Sequence, residues 1–294
     1  DGYGNEFVWV EVPKTTAVYP TAGLNIKDFT DEEYIRIETD LHTYTSDYRN
    51  GTVNDVYYQD NADGWFENEG EYNQLKRKML KSVYQNAGFW IGRYEAGIEK
   101  NRTSRGDASI IPSSKANLYP YNYVTIIQAK ALAEKIESGS NTSSLMFGIQ
   151  WDLTLKYIET KKKGADTEIK NKLISNSTVI GNYKENLLNI TDTLAKYSLD
   201  DGINFVPCPY EKKSVEDKVL LTTGANESFS LMNIYDLAGN VWEWTLEKNS
   251  NEGNPGTCMG GYYSDNGLKF PANYRNSSGT TGSSSIVGFR VSIY

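Results

Sequence analysis

The side chains best suited to chemistry are scarce in this chain. It has one histidine, His42, and two cysteines, Cys208 and Cys258. A lone imidazole excludes any site built on several histidines. A Ser-His-Asp triad would rest on His42 alone, in the segment DLHTYTSDY, where a surface histidine is the plainer reading. The two cysteines suit either one disulfide in an exported protein or a pair of buried thiols, and their separation in sequence does not choose between these. The densest unusual cluster is DLAGNVWEWT, residues 236–245, where Glu243 stands between Trp242 and Trp244. Arg105-Gly106-Asp107 and six Asn-x-Ser/Thr sequences, at Asn101, Asn141, Asn176, Asn189, Asn226 and Asn276, are short matches expected by chance in a chain this rich in Asn, Ser and Thr.

Charge and composition narrow the partners. A net charge of −8 and a pI near 4.9 argue against nucleic acid, because phosphate binding draws on clustered Lys and Arg. The basic run Lys161 to Lys163 reads as a solvated helix end. No stretch approaches the roughly 18 apolar residues of a membrane helix, so no membrane insertion is expected. The start, DGYGNEFVWV, lacks the basic-then-apolar pattern of a signal segment, and the expectation is a soluble chain whose targeting peptide is gone. Its 22 tyrosines supply rigid, amphipathic contact area of the kind found on binding surfaces.

Periodicity places these residues on elements. EFVWVEV (6–12) alternates as a strand, and TDEEYIRIETDL (30–41) starts a helix with a Thr cap followed by acids. EGEYNQLKRKMLKSVYQNAG (69–88) puts Tyr72, Leu75, Met79, Leu80 and Val83 on one helical face and closes at Gly88. FWIGRYEAG (89–97) reads as a buried strand, and TIIQAKALAEKIES (125–138) and QWDLTLKYIETKKK (150–163) as helices. From about residue 164 short apolar pieces alternate with Gly, Asn, Ser and Thr clusters, ending on IVGFRVSIY. The expectation is one α+β domain over 1–294 with a loop-rich second half. Strand alternation would send Trp242 and Trp244 to one face and Glu243 to the other, Gly260-Gly261 permit close backbone packing, and Arg290 suits a buried hydrogen-bonded pair.

NIYDLAGNVWEWT (233–245), CMGGYY (258–263) and GFRVSIY (288–294), in that order, resemble the C-terminal signature of the formylglycine-generating enzyme (sulfatase-modifying factor) family of the C-type lectin fold. FWIGRYEAG, YNYVTIIQAKALAEKI (121–136) and LMFGIQWDLTLKYI (145–158) resemble that family's opening strand and first two helices. The resemblance covers 85–294, leaves 1–84 as an N-terminal extension with a strand to join the sheet, and implies a C-type-lectin-like fold in which the signature is framework.

The family's chemistry does not carry over. Members that oxidise sulfatase cysteines hold copper with a cysteine pair between the Gly-Gly and Gly-Phe-Arg motifs. This chain has no cysteine between Met259 and Tyr294, and FPANYRNSSG offers poor soft-metal ligands there. Iron-dependent relatives need several histidines. No catalytic residue and no metal are therefore assigned, and a metal-dependent oxidase remains as the alternative reading. The resemblance also implies an optional structural calcium on carbonyls of Gly239, Asn240 and Val241 and on Glu243.

A non-catalytic branch of the same fold comprises variable proteins of diversity-generating retroelements, on phage tails and bacterial surfaces. Their C-terminal segment is randomised at adenines, and an Asn codon so treated never yields Lys, Glu, Gln, Met or Trp. From Gly260 to Tyr294 there is no Glu, Gln, Met or Trp, and Lys269 is the one lysine. The expected function is ligand or receptor binding by the segment 258–294, on a cell surface or phage virion. Tyr262, Tyr263, Asp265, Asn266, Asn273, Tyr274, Asn276, Ser277, Ser283 and Ser284 would be presented to a surface protein or glycan receptor.

Overall fold

Thr30 opens the first helix with a reciprocal cap. Its hydroxyl accepts the Glu33 N–H at 3.4 Å and the Glu33 carboxylate accepts the Thr30 N–H at 3.0 Å, starting Asp31–Tyr44. The computed structural model describes residues 1–49, 55–58 and 64–294. The second helix, Glu69–Asn86, starts at an Asn68 cap and buries Tyr72, Met79, Leu80, Val83 and Tyr84. It closes one residue earlier than the Gly88 signal predicts, on Ala87 in the left-handed conformation. The third, Ile126–Ala133, begins at Thr125 as expected but stops short of residue 138. Its last carbonyl, on Ala133, accepts the Ser143 hydroxyl and the Ile136 N–H instead of extending the helix. The fourth, Gly148–Lys162, receives its cap from far away: the Asp55 carboxylate accepts the N–H groups of Gly148 and Ile149, both at 2.8 Å.

Two four-stranded sheets carry the signature segments. The first has the order Phe7–Glu11, Gly88–Gly92, Val291–Ile293, Ser143–Leu145, all antiparallel. The second has the order Arg275–Ser278, Gly256–Met259, Trp242–Lys248, Val287–Phe289, its last pair parallel. The closing segment IVGFRVSIY is two strands in two sheets, and Arg290 is the residue at the switch. Elsewhere in the second half most strands are two or three residues long, with a small separate core around Ile190, Cys208 and Phe229. The architecture is α+β with a loop-rich second half.

Buried charge holds the edge strand of the second sheet. Arg275 donates to Asp152 at 2.6 Å and to both oxygens of Glu247 at 3.0 and 3.2 Å, and Arg49 reaches the same two acids at 3.2 Å each. Removing one partner from such a group leaves its counter-charge stranded, so the strand that starts at Arg275 is pinned to the fourth helix.

Candidate binding surface

The signature segment is interior on both sides. Trp242 and Trp244 belong to the main core, and the Trp244 indole N–H donates to the Val124 carbonyl at 3.0 Å. Glu243 meets Arg290, whose Nε and Nη2 donate to its two oxygens at 3.0 and 2.7 Å; the same guanidinium donates to the carbonyls of Gly92 and Tyr235. Burial raises the Glu243 carboxyl's pKa, and the attraction of Arg290 opposes the rise. Both oxygens of the carboxylate that the resemblance gives to calcium are thus held by a guanidinium, and the Asn240 carbonyl accepts the Tyr263 N–H at 3.0 Å. In this arrangement that donor set does not fit calcium.

The turn at 260–261 is locked onto the signature. Gly260 and Gly261 have φ of +90° and +83°. A Cβ on Gly260 would lie 2.8 Å from the Leu237 carbonyl oxygen, and one on Gly261 would lie 2.8 Å from the Tyr183 ring. The Gly260 carbonyl accepts from the Gly239 N–H at 2.8 Å and from the Tyr183 hydroxyl at 2.6 Å.

Beyond this turn the ten candidate residues divide. Tyr263 is fully buried: its ring packs with Leu220 and Val241, and its hydroxyl donates to Asp201 at 2.7 Å. Asn273 is also interior, donating to the Tyr48 carbonyl at 3.2 Å. These two are corrections to the expectation of presented side chains. The cause is the turn, which directs the second tyrosine inward against the hairpin around Asp201, while the Pro271–Asn273 stretch lies under the helices. Tyr262 and Tyr274 are half-buried, Tyr262 edge-on to Tyr263 at 5.2 Å and Tyr274 edge-on to Phe270 at 4.9 Å. Asp265, Asn266, Asn276, Ser277, Ser283 and Ser284 keep part of their surface open.

Trp242 joins the pieces. Its ring lies 5.9 Å from Phe270 and 6.0 Å from Tyr274, and its backbone N–H donates to the Ile286 carbonyl at 2.8 Å, holding the loop that carries Ser283 and Ser284. Residues distant in sequence complete the support. Tyr123 N–H donates to the Ser284 carbonyl, Asn122 to the Ser285 carbonyl, Arg105 to the Thr281 carbonyl, and Asn266 to Glu185. No local pattern announced Asp201, Glu185 or Arg105, because each acts across 60 or more residues. Asp265 has its pKa pushed up to about 7, first by burial and also by the Glu185 carboxylate, against the pull of the Tyr262 N–H and Lys269.

Cys208 and Cys258 are free and buried, which settles the open choice in favour of thiols. Burial pushes the Cys208 thiol up to about 11 and the Cys258 thiol well above its ordinary value, so neither is a ready thiolate. Among the described residues no group of three or more His, Cys, Asp or Glu side chains is placed to hold a metal ion.

Residues 167–293 match the FGE-sulfatase family, the sulfatase-modifying factor enzyme 1-like domain. The fold is the C-type-lectin-like one of that family. No curated protein matches the chain. Solved structures similar to it include that of CarF, with 14% identity over 70% of this chain and 86% of that one and a TM-score of 0.39. Treponema denticola variable protein 1 has 14% identity over 70% of this chain and 84% of that one, with a TM-score of 0.36. The FGE-sulfatase match lies wholly inside the 85–294 region of the resemblance and includes all ten candidate residues.

Proposed function

We propose that this sulfatase-modifying factor enzyme 1-like domain is a non-catalytic binding protein, exported to a cell surface or phage virion, whose 258–294 segment is diversified. The observation that carries the reading is the division within that segment. Tyr263, Arg275, Phe289 and Arg290 are buried framework, whereas Asp265, Asn266, Asn276, Ser277, Ser283 and Ser284 are partly exposed on backbone fixed from elsewhere. Such an arrangement lets surface residues change without disturbing the core, and small polar side chains flanked by tyrosine edges suit adaptable recognition. The mechanism is surface complementarity, with no chemical step and no cofactor.

Two experiments test this. A reverse transcriptase gene and a near-identical template copy of the 3′ coding sequence beside the gene are expected, and their absence counts against diversification. A library randomised at the six surface positions is expected to retain the wild-type melting transition in most members and to yield binders on selection. A library that mostly unfolds would sink the proposal.

A further inference from the structure

Asn266 and Gly267 form an Asn-Gly pair inside the candidate surface, and the fold fixes both members. A Cβ on Gly267 would lie 2.5 Å from the Thr178 backbone nitrogen and 2.7 Å from its Cα, so no side chain fits there. The Gly267 carbonyl accepts the Ser177 N–H at 2.9 Å, which keeps the two segments in contact. Glycine is thus imposed by the neighbouring backbone. Its bare Cα leaves the Gly267 nitrogen sterically open to the side chain of the residue before it.

Asn266 is held at both ends of its amide. Its Oδ1 accepts the N–H groups of Leu268 and Lys269, both at 3.0 Å, and its main-chain carbonyl accepts the Phe270 N–H at 2.8 Å, so it caps a single turn over 267–270. Its Nδ2 donates to Glu185 Oε1 at 2.8 Å. The other Glu185 oxygen is buried without a hydrogen bond among the described residues. The Lys184 N–H donates to the Asp265 carbonyl at 3.0 Å, so the segment that carries Glu185 is fastened to the loop that carries Asn266.

An Asn-Gly pair has a reaction open to it that needs only water. The Gly267 nitrogen attacks Asn266 Cγ, the Cγ–Nδ2 bond breaks, and ammonia leaves, the Gly267 amide proton passing through solvent to the departing nitrogen. Water then opens the resulting five-membered imide to aspartate or isoaspartate. Ring closure requires the amide to turn toward its own backbone, and the bonds to Leu268, Lys269 and Glu185 all oppose that turn. We propose that Asn266 is a latent deamidation site, kept as an amide by Glu185 and the 267–270 turn while the loop is closed and converted to a carboxylate when it opens. Conversion removes the donor that Glu185 uses and places a third carboxylate beside Asp265 and Glu185, so the loop cannot close again in its original form. The candidate surface then carries an irreversible change of charge.

Incubation at mildly alkaline pH, followed by peptide mass mapping, tests the proposal. Conversion must be localised to residue 266, because Asn50-Gly51 is a second such pair in the sequence. The chain unfolded in guanidinium chloride is expected to convert at least about tenfold faster than the native protein, the ratio being set by how rarely the loop opens. Glu185→Ala, shown to be folded by its circular dichroism, is expected to convert severalfold faster than native wild type, and Glu185→Gln, which keeps an acceptor oxygen, to stay close to it. Native wild type converting as fast as the unfolded chain overturns the proposal, and so does a folded Glu185→Ala that resists as well as wild type. If Glu185→Ala does not fold, the ratio of native to unfolded wild type decides alone. The readout is a mass at residue 266, so the result is independent of whether the segment binds a partner.

Discussion

Arg290 holds Glu243 through two hydrogen bonds, of 3.0 and 2.7 Å, at a point where the chain leaves one sheet for the other. Its remaining N–H groups reach the Gly92 and Tyr235 carbonyls, so one guanidinium ties together the opening strand, the signature strand and the closing strand. Arg290→Ala is expected to cost about 3–5 kcal/mol in urea unfolding, because it strands the Glu243 charge in the interior. Arg290→Lys recovers little of this if the fork geometry matters, since an ammonium cannot reproduce the paired contacts. Wild-type stability in Arg290→Ala would refute the framework role.

The Gly-Gly turn gives a sharper contrast. Gly260→Ala is expected to lower stability by more than about 1 kcal/mol, because the residue has φ of +90° and its Cβ would press on the Leu237 carbonyl. Gly106→Ala, with nothing within 4 Å of its Cβ, should lie within about 0.5 kcal/mol of wild type. Thermal or urea melts of the two variants measure the difference.

Tyrosines in the candidate segment should behave unequally. Tyr263→Ala is expected to lose about 3–5 kcal/mol by cavity formation, and Tyr263→Phe a smaller amount for the hydrogen bond to Asp201. Asn276→Ala and Ser277→Ala, on the edge strand, should change stability by no more than about 0.5 kcal/mol. Equal losses at Tyr263 and Ser277 would contradict the division into framework and surface.

Asp265 sets a pH dependence. Its folded pKa of about 7 lies above its unfolded value, so the folded state binds the extra proton. The stabilisation is complete below the unfolded pKa of about 4 and is lost as pH rises through about 7. Asp236, pushed up to about 6 mainly by burial, adds a slope of the same sign at lower pH. Asp265→Asn should therefore match wild type near pH 4 and exceed it at pH 8 in urea midpoint, the difference growing across that interval. A constant offset at every pH would rule out this titration.

The thiols should be countable. Both cysteines are expected to resist a thiol reagent in the native protein and both to react in denaturant without prior reduction, because each is free and buried. A single intact disulfide would leave neither reactive in denaturant.

Much of the frame was written locally. Thr30 and Thr125 announce helix starts, the 69–88 pattern marks its buried face, and the spaced motifs NVWEW, CMGGYY and GFR carry the resemblance to the family, because caps, periodicity and motif order act within a few residues. What local pattern could not show was direction and distant support. Tyr262 and Tyr263 are neighbours with the same side chain, and only the fold separates them, by placing Asp201 and a small core behind the second. Likewise IVGFRVSIY alternates as one strand, and the break at Arg290 exists because Glu243, 47 residues earlier, draws the guanidinium inward. Cap and period are short-range interactions that sequence determines by itself; burial and charge pairing across 50 to 150 residues are decided only when the chain is folded.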